Sequence, residues 1–313
     1  MTTRTELTTP DGTPVSRFCF GTMQFGGKAD AAQSRAMYDA CRGAGINFFD
    51  TAFGYTDGAS ETHLGEFANP ERQSVFIATK CAHPGDSKAA TITAQFDESR
   101  KRLGMDIVDL LYLHRWDDGT PLEETFEALA KMADAGTVRH FGVSNFSAWQ
   151  TMKAARVAHD FSLTVAVLQP MYNLVKRQAE VEILPMAQAE GFHVVPYSPL
   201  GGGLLTGKYG RGDKGRLTDD AMYRSRYGQD WMHAAAVALN GLADALGVSP
   251  ITLAVAWVAR NPAITAPIVS ASSASQLQPS LDAMSFDMDD ALYDRLAALT
   301  PAPPPATDRS EEA

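Results

Sequence analysis

The sequence predicts an α/β chain closed into an eight-stranded (β/α) barrel. Three observations carry that expectation. Short, apolar, β-branched runs alternate with longer stretches of helical spacing along nearly the whole chain. Each crossover between runs is helical, which forces the runs to pair in parallel. No Gly-x-Gly-x-x-Gly follows the first run, which disfavours an open doubly wound sheet, and eight units in about 270 residues suit a barrel.

The elements follow in order. Residues 6–15 hold a Pro10-Asp11-Gly12 turn between extended runs, the pattern of a hairpin, here expected to plug the N-terminal face of the barrel. Strands are predicted at residues 18–20, 48–49, 75–79, 107–113, 140–143, 165–168, 193–196 and 266–269. Between them, apolar spacing at i, i+3, i+4 and i+7 predicts helices over 32–43, 91–103, 122–135, 149–159, 178–190, 233–246 and 251–259. Gly43, Gly45, Gly104, Gly136, Gly191 and Gly247 fall where left-handed helix ends want them. Residues 1–300 read as one barrel domain. The Pro-rich, acidic tail 301–313 lacks the apolar content for a core and is expected to be disordered.

Composition narrows the function classes. The chain has 313 residues, 45% of them hydrophobic, enough for a large core. Its 27 basic and 37 acidic residues leave a net charge of −10, which argues against nucleic acid or an anionic membrane surface as partner. No stretch reaches the ~18 apolar residues of a membrane span, and the first residues lack the apolar core of a secretory signal. Cys19, Cys41 and Cys81 form no Cys-x-x-Cys pair, and the seven histidines show no zinc-type spacing. A cytoplasmic, metal-free protein with reduced thiols is expected.

Working residues in such a barrel sit at the C-terminal ends of strands or in the loops just beyond. Asp50, Lys80 and His114 each end an apolar run, and Tyr55 follows Asp50 in the next loop. A charge capping an apolar run needs a partner. Together the four suit protonation of a carbonyl as it receives a hydride. A tyrosine with an ordinary pKa near 10 is a weak acid at neutral pH. A lysine ammonium about 4 Å away, at an effective dielectric of about 20, interacts by about 4 kcal/mol and is expected to lower that pKa by about 3. The aspartate would keep the lysine charged, and the histidine would fix the substrate oxygen.

The same residues carry a family resemblance. Gly21-Thr22, Asp50-Thr51-Ala52-x-x-Tyr55, Glu61-x-x-Leu64-Gly65, Thr79-Lys80, Asp109-Leu110-x-Tyr112-x-His114, Gly142-Val143-Ser144-Asn145-Phe146 and Tyr197-Ser198-Pro199-Leu200-Gly201 occur in that order. From about Phe18 to Leu299 the chain resembles the aldo-keto reductases. The resemblance implies nicotinamide-dependent carbonyl reduction by a monomer, with Tyr55 as acid supported by Asp50, Lys80 and His114. It also implies that Ser144, Asn145 and Gln169 hold the nicotinamide carboxamide and that Tyr197 stacks on the ring. Ser198, Leu200, Gly201 and Lys208 would cover the pyrophosphate, and Gly21, Thr22 and Met23 would line the ribose beside Asp50. Ser270, Ser272, Gln276 and Ser280 match the segment that meets the far phosphate.

That last segment departs from the family. Residues 267–280 contain no Lys or Arg, where the family often places bases for the 2′-phosphate of NADP. Serine hydroxyls and a helix start still favour anions but supply no full charge. The cofactor is therefore expected to be NADP(H) or NAD(H), with NAD(H) a real contender. Phe53, Trp116, Tyr223, Tyr227 and Trp231 are expected to wall the substrate pocket, with 209–230 as a lid. Aromatic walls suit flat or apolar carbonyls, or the matching alcohols, and the polar lid leaves sugars open. Two rivals stand beside this reading: a Schiff-base aldolase using Lys80, and a cofactor-binding regulatory subunit without turnover.

Overall fold

A computed structural model describes residues 4–309 and Glu311. Strands β1 (Cys19–Gly21), β2 (Phe48–Asp50), β3 (Phe76–Cys81), β4 (Val108–Leu113), β5 (Val138–Ser144), β6 (Val165–Gln169), β7 (His193–Val194) and β8 (Ile268–Val269) form one parallel sheet. Every strand but β5 is buried along its whole length, as expected of strands covered on both faces. Neighbours pair in chain order and β1 also pairs with β8. The Ile268 amide bonds the Pro196 carbonyl at 2.9 Å and the Thr265 amide bonds that of Val194 at 2.8 Å, closing the ring between β7 and β8.

Helices lie between the strands: α1 (Ala31–Gly43), α2 (Ala59–Ala68), α3 (Ala89–Leu103), α4 (Leu122–Asp134), α5 (Ala148–Asp160) and α6 (Ile183–Glu190). The long segment after β7 carries α7 (Arg216–Asp219), α8 (Ala221–Tyr227), α9 (Asp230–Leu246) and α10 (Pro250–Arg260), and α11 (Ala274–Asp282) and α12 (Asp290–Ala297) follow β8. Their apolar faces and the outer faces of the strands make the larger core. Inside the ring a second core holds Phe48, Phe76, Ala78, Leu110 and Tyr112, closed from below by Leu7. Leu7 arrives on the expected hairpin, where Thr8 and Pro14 bridge antiparallel and the Val15 amide bonds the Leu7 carbonyl at 3.0 Å.

Sequence patterning misses some boundaries. Helix α2 has mixed polarity and was not distinguished from loop. The stretch 178–190 breaks into a 3₁₀ turn at Gln178–Glu180 and α6, because Pro185 would clash with the carbonyl of residue 181 in a continuous helix. The region 209–230, expected as one loop, is built largely from α7 and α8. Residues 301–309 form neither helix nor strand, and residues 310, 312 and 313 of the expected disordered tail lie outside the described residues. No single helix among the described residues is long and apolar enough to cross a membrane.

Below the barrel, one fully buried carboxylate joins three elements. Asp109 on β4 accepts the Ile77 amide at 2.8 Å and pairs with Arg72 and Arg139, each at 2.7 Å. Arg139 also donates to the Thr8 carbonyl at 2.7 Å, pinning the hairpin. Asp109→Asn leaves both guanidiniums without their counter-charge and should cost on the order of 3 kcal/mol. Urea denaturation reads this as a lower midpoint; an unchanged midpoint would contradict the network's structural part.

Candidate active site

Lys80, on β3, is fully buried, and a buried ammonium requires acceptors. Its Nζ donates to the Asp50 carboxylate, to the Thr51 carbonyl at 2.7 Å and to the Tyr55 hydroxyl at 3.5 Å. Sheet register makes this possible. Asp50 sits opposite Ala78, so Lys80 lies two residues further along β3 and points to the same side. The other Asp50 oxygen accepts from Gln169 Nε2 at 2.9 Å. The His114 ring meets the Tyr55 ring edge-on, with centroids 5.9 Å apart. Four groups far apart in sequence thus share one mouth of the barrel.

The loop carrying Tyr55 is held from beneath. The Phe53 amide bonds the Lys80 carbonyl at 3.0 Å. Arg102, from α3, donates to the Phe53 carbonyl at 2.9 Å and lies over its ring, 4.6 Å from the centroid. The same guanidinium pairs at 3.3 Å with Glu61, a fully buried carboxylate that also accepts from Thr79 Oγ1 at 2.6 Å. Gly58, with φ of +94°, turns the chain where a Cβ would come within 2.6 Å of Arg102.

Electrostatics separate the four groups. Burial pushes the Tyr55 phenol above its ordinary pKa; Lys80 pulls it back without winning, and Asp50 pushes it further up. The depression expected from the sequence does not occur, because the lysine charge is already shared with Asp50 while the phenol is largely desolvated. Burial pulls Lys80 down, but Asp50 and Tyr55 lift it above its ordinary value, so it stays charged. Burial also raises Asp50, against the pull of Lys80 and Gln169. His114 is pushed down to about 3 by burial, then by Lys80, His83 and Arg115, and is a neutral imidazole.

The residues expected around a dinucleotide form a connected rim. Ser144 Oγ donates to the Gln169 carbonyl at 3.0 Å, and Asn145 Nδ2 donates to Ser144 Oγ at 3.1 Å and to the His114 carbonyl at 2.9 Å. The Tyr197 hydroxyl donates to Asn145 Oδ1 at 2.6 Å. Asn145 and Ser198 both hold left-handed backbone, φ +59° and +60°. The Thr22 amide bonds the Asp50 carbonyl at 2.9 Å, with Gly21 buried and Met23 half-buried on either side. Beyond Leu200, Gly201, Gly202 and Gly203 run at φ +56°, +65° and +97°, a backbone that favours glycine, and a Cβ at Gly202 or Gly203 would come within 2.7 Å of Tyr223 or 3.0 Å of Lys208.

Just after β8, Ser270 Oγ is buried with no partner among the described residues, an orphaned hydroxyl that suits a polar ligand. Ser272 Oγ is bonded to Gln276 at 2.7 Å, and Ser280 is buried in α11. The rim therefore fits a dinucleotide, with the orphaned Ser270 hydroxyl as its open position.

The expected substrate wall divides. Phe53 lies under Arg102, and Trp116 packs edge-on to Phe146 and Trp149 at 5.2 and 5.5 Å. Tyr223 lies against Gly202. Tyr227 is corrected: it has no exposure, and its hydroxyl reaches Asn173 and Met171, so it supports the lid from inside. Trp231 is exposed, with its indole N–H bonded to Gln229, and meets none of the four groups. Sequence reasoning passed over His83, whose ring meets that of His114 at 5.4 Å. It also gave no part to Arg102, for which a basic residue near a helix end offers no signal.

A model of the aldo/keto reductase family matches residues 17–301. The chain belongs to the aldo-keto reductase family. It is 34% identical to a probable voltage-gated potassium channel subunit beta of Oryza sativa subsp. japonica, over 87% of this chain and 88% of that protein. It is 32% identical to the uncharacterized oxidoreductase YrpG of Bacillus subtilis (strain 168), over 93% and 94%. Identity to aflatoxin B1 aldehyde reductase member 2 of Homo sapiens is 35%, over 84% and 80%.

In this family member, His114 is held near 3, and burial also lowers His140 and His193, each to about 4. In the unfolded chain each returns to about 6.5. Between those values the unfolded state binds more protons, so stability is lost as pH falls through that window. NMR titration should find three imidazoles neutral at pH 5.5, with a urea midpoint lower at pH 5 than at pH 7. Histidines that all titrate near 6.5 would contradict the burial of these rings.

Proposed function

We propose that the chain is an oxidoreductase that moves a hydride between a nicotinamide dinucleotide and a small carbonyl compound or its alcohol. The observation that carries this reading is the Tyr55 hydroxyl 3.5 Å from a buried, carboxylate-paired Lys80, with the neutral His114 ring beside it. A bound nicotinamide supplies the hydride. Tyr55 supplies the proton: a phenol held above its ordinary pKa stays protonated at neutral pH, which suits it to donate when a carbonyl oxygen gains charge. As that oxygen takes the proton, Lys80 lies within reach of the emerging phenolate and stabilises it. His114, being neutral, orients the oxygen by hydrogen bonding without adding a competing charge. In the oxidative direction the same groups accept the proton.

Family membership and the relatives named for reductase activity support this reading. A Schiff-base aldolase is disfavoured, since Lys80 is held charged by Asp50 and spends a further donor on the Thr51 carbonyl. The relatives named as channel subunits favour a second reading, a cofactor-binding regulatory subunit without turnover, and the complete set of Asp50, Tyr55, Lys80 and His114 argues for turnover instead.

Tyr55→Phe should lower kcat for aldehyde reduction by about 10²-fold or more, with dinucleotide affinity nearly unchanged. Single-turnover kinetics with bound cofactor checks this; wild-type rates in the variant would reject Tyr55 as the acid. Because residues 267–280 carry no base, NAD(H) and NADP(H) should be used within an order of magnitude of each other. Michaelis constants differing a hundredfold in favour of NADPH, about 2.7 kcal/mol, would overturn that expectation.

A further inference from the structure

Two cations lie over neighbouring tyrosine rings at the edge of the mouth. Lys176 Nζ lies 5.8 Å from the centroid of the Tyr227 ring, and Arg226 Cζ lies 5.5 Å from that of Tyr223. Both side chains are half-buried, and neither forms an ion pair with any described residue. Burial and then the charge of Arg226 press Lys176 below its ordinary pKa. In a chain of net charge −10, two adjacent, partly desolvated cations without a carboxylate are costly.

The fold holds them together regardless. Asn173 is fully buried, and its amide donates to the Ser198 carbonyl at 2.8 Å and to the Tyr227 hydroxyl at 3.4 Å. Its own oxygen accepts the Val175 amide at 3.0 Å, and its backbone pairs with Lys176 in both directions. One buried side chain therefore fixes the turn after β6, the loop after β7 and α8 in a single arrangement. The pair also faces the reaction side. Arg226 stacks on Tyr223, which packs on Gly202 and whose field reaches Tyr55. Arg226 acts likewise on Tyr197, whose hydroxyl bonds Asn145.

We propose that Lys176 and Arg226 form an oxyanion subsite at the entrance, selecting carbonyl substrates that bear a carboxylate or phosphate away from the reacting carbon. Arg226 offers a planar fork and Lys176 a compact point charge, a pair matched to an oxyanion with several acceptors. The inference rests on the hydride-transfer reading and names its substrate class.

The test compares matched aldehydes: 4-formylbenzoate against 4-methylbenzaldehyde, and glyceraldehyde 3-phosphate against glyceraldehyde. The readout is the ratio of kcat/KM, charged over neutral, in the wild type, Arg226→Gln and Lys176→Gln, so that intrinsic aldehyde reactivity cancels. The ratio should fall tenfold or more in either variant, about 1.4 kcal/mol, and the pair that responds identifies the oxyanion. A ratio unchanged for both pairs overturns the subsite, as does a loss expressed only in the Michaelis constant for the dinucleotide. If no aldehyde turns over, the hydride-transfer reading fails instead. Calorimetric titration with 4-methylbenzoate against 4-methylbenzyl alcohol then still decides the subsite: anion-selective binding lost in Arg226→Gln supports it, and equal or absent binding overturns it.

Discussion

An ammonium group without solvent contact is the constraint around which the mouth of this barrel is organised. Lys80 has lost its water, and the protein replaces it with a carboxylate from β2, a carbonyl from the turn beyond it and a phenol from the loop after that. Each replacement comes from the sequence around residue 50, so satisfying one buried charge fixes the path of β2 and its loop. Gln169 then completes Asp50 from β6, across the barrel. Removing either Asp50 or Lys80 alone would leave the other charge unpaired in a low dielectric, where the penalty is largest.

Groups placed by that constraint would still be mobile on bare loops. Two buried polar residues act as struts. Glu61 holds Arg102 against the carbonyl and ring of Phe53, two residues before the phenol. Asn173 joins the turn after β6 to Ser198 and to Tyr227, so the wall opposite is fixed as well. Both struts are fully buried and hydrogen-bonded, which is the condition under which a buried polar group rigidifies and does not merely destabilise. The Tyr55 phenol thus sits between two braced segments.

Charge distribution adds a second theme. The chain is acidic overall, yet Lys80, Arg102, Arg115, Lys176 and Arg226 gather around or near the mouth. Lys80 and Arg102, which hold the site together, have carboxylate partners, and Arg115 donates to the Gly85 carbonyl. Lys176 and Arg226 form no ion pair with any described residue and lie over the Tyr227 and Tyr223 rings. Burial acts on neutral groups in the opposite sense: it keeps His114 unprotonated and Tyr55 protonated, so both stay uncharged hydrogen-bonding groups.

The alternation of strand and helix, and with it the barrel, was legible because short apolar runs and stretches of period 3.6 are local properties of the chain. Asp50, Lys80 and His114 were legible for a related reason: an ionisable residue ending an apolar run has few places to go but the mouth. Tyr227 and Tyr223 look alike in sequence, one helical turn apart, yet one faces the interior and the other the glycine run; only packing distinguishes them. The direction of the Tyr55 shift belongs with these. A nearby lysine lowers a phenol and burial raises it, and which prevails depends on how completely Asp50 already engages that lysine. His83 beside His114, and Lys176 over the ring of Tyr227, are contacts between segments distant in sequence, set when the ring closes. Sequence determines what each short segment prefers; the tertiary structure decides solvent exclusion and proximity, because both depend on atoms contributed by segments that no local pattern can see.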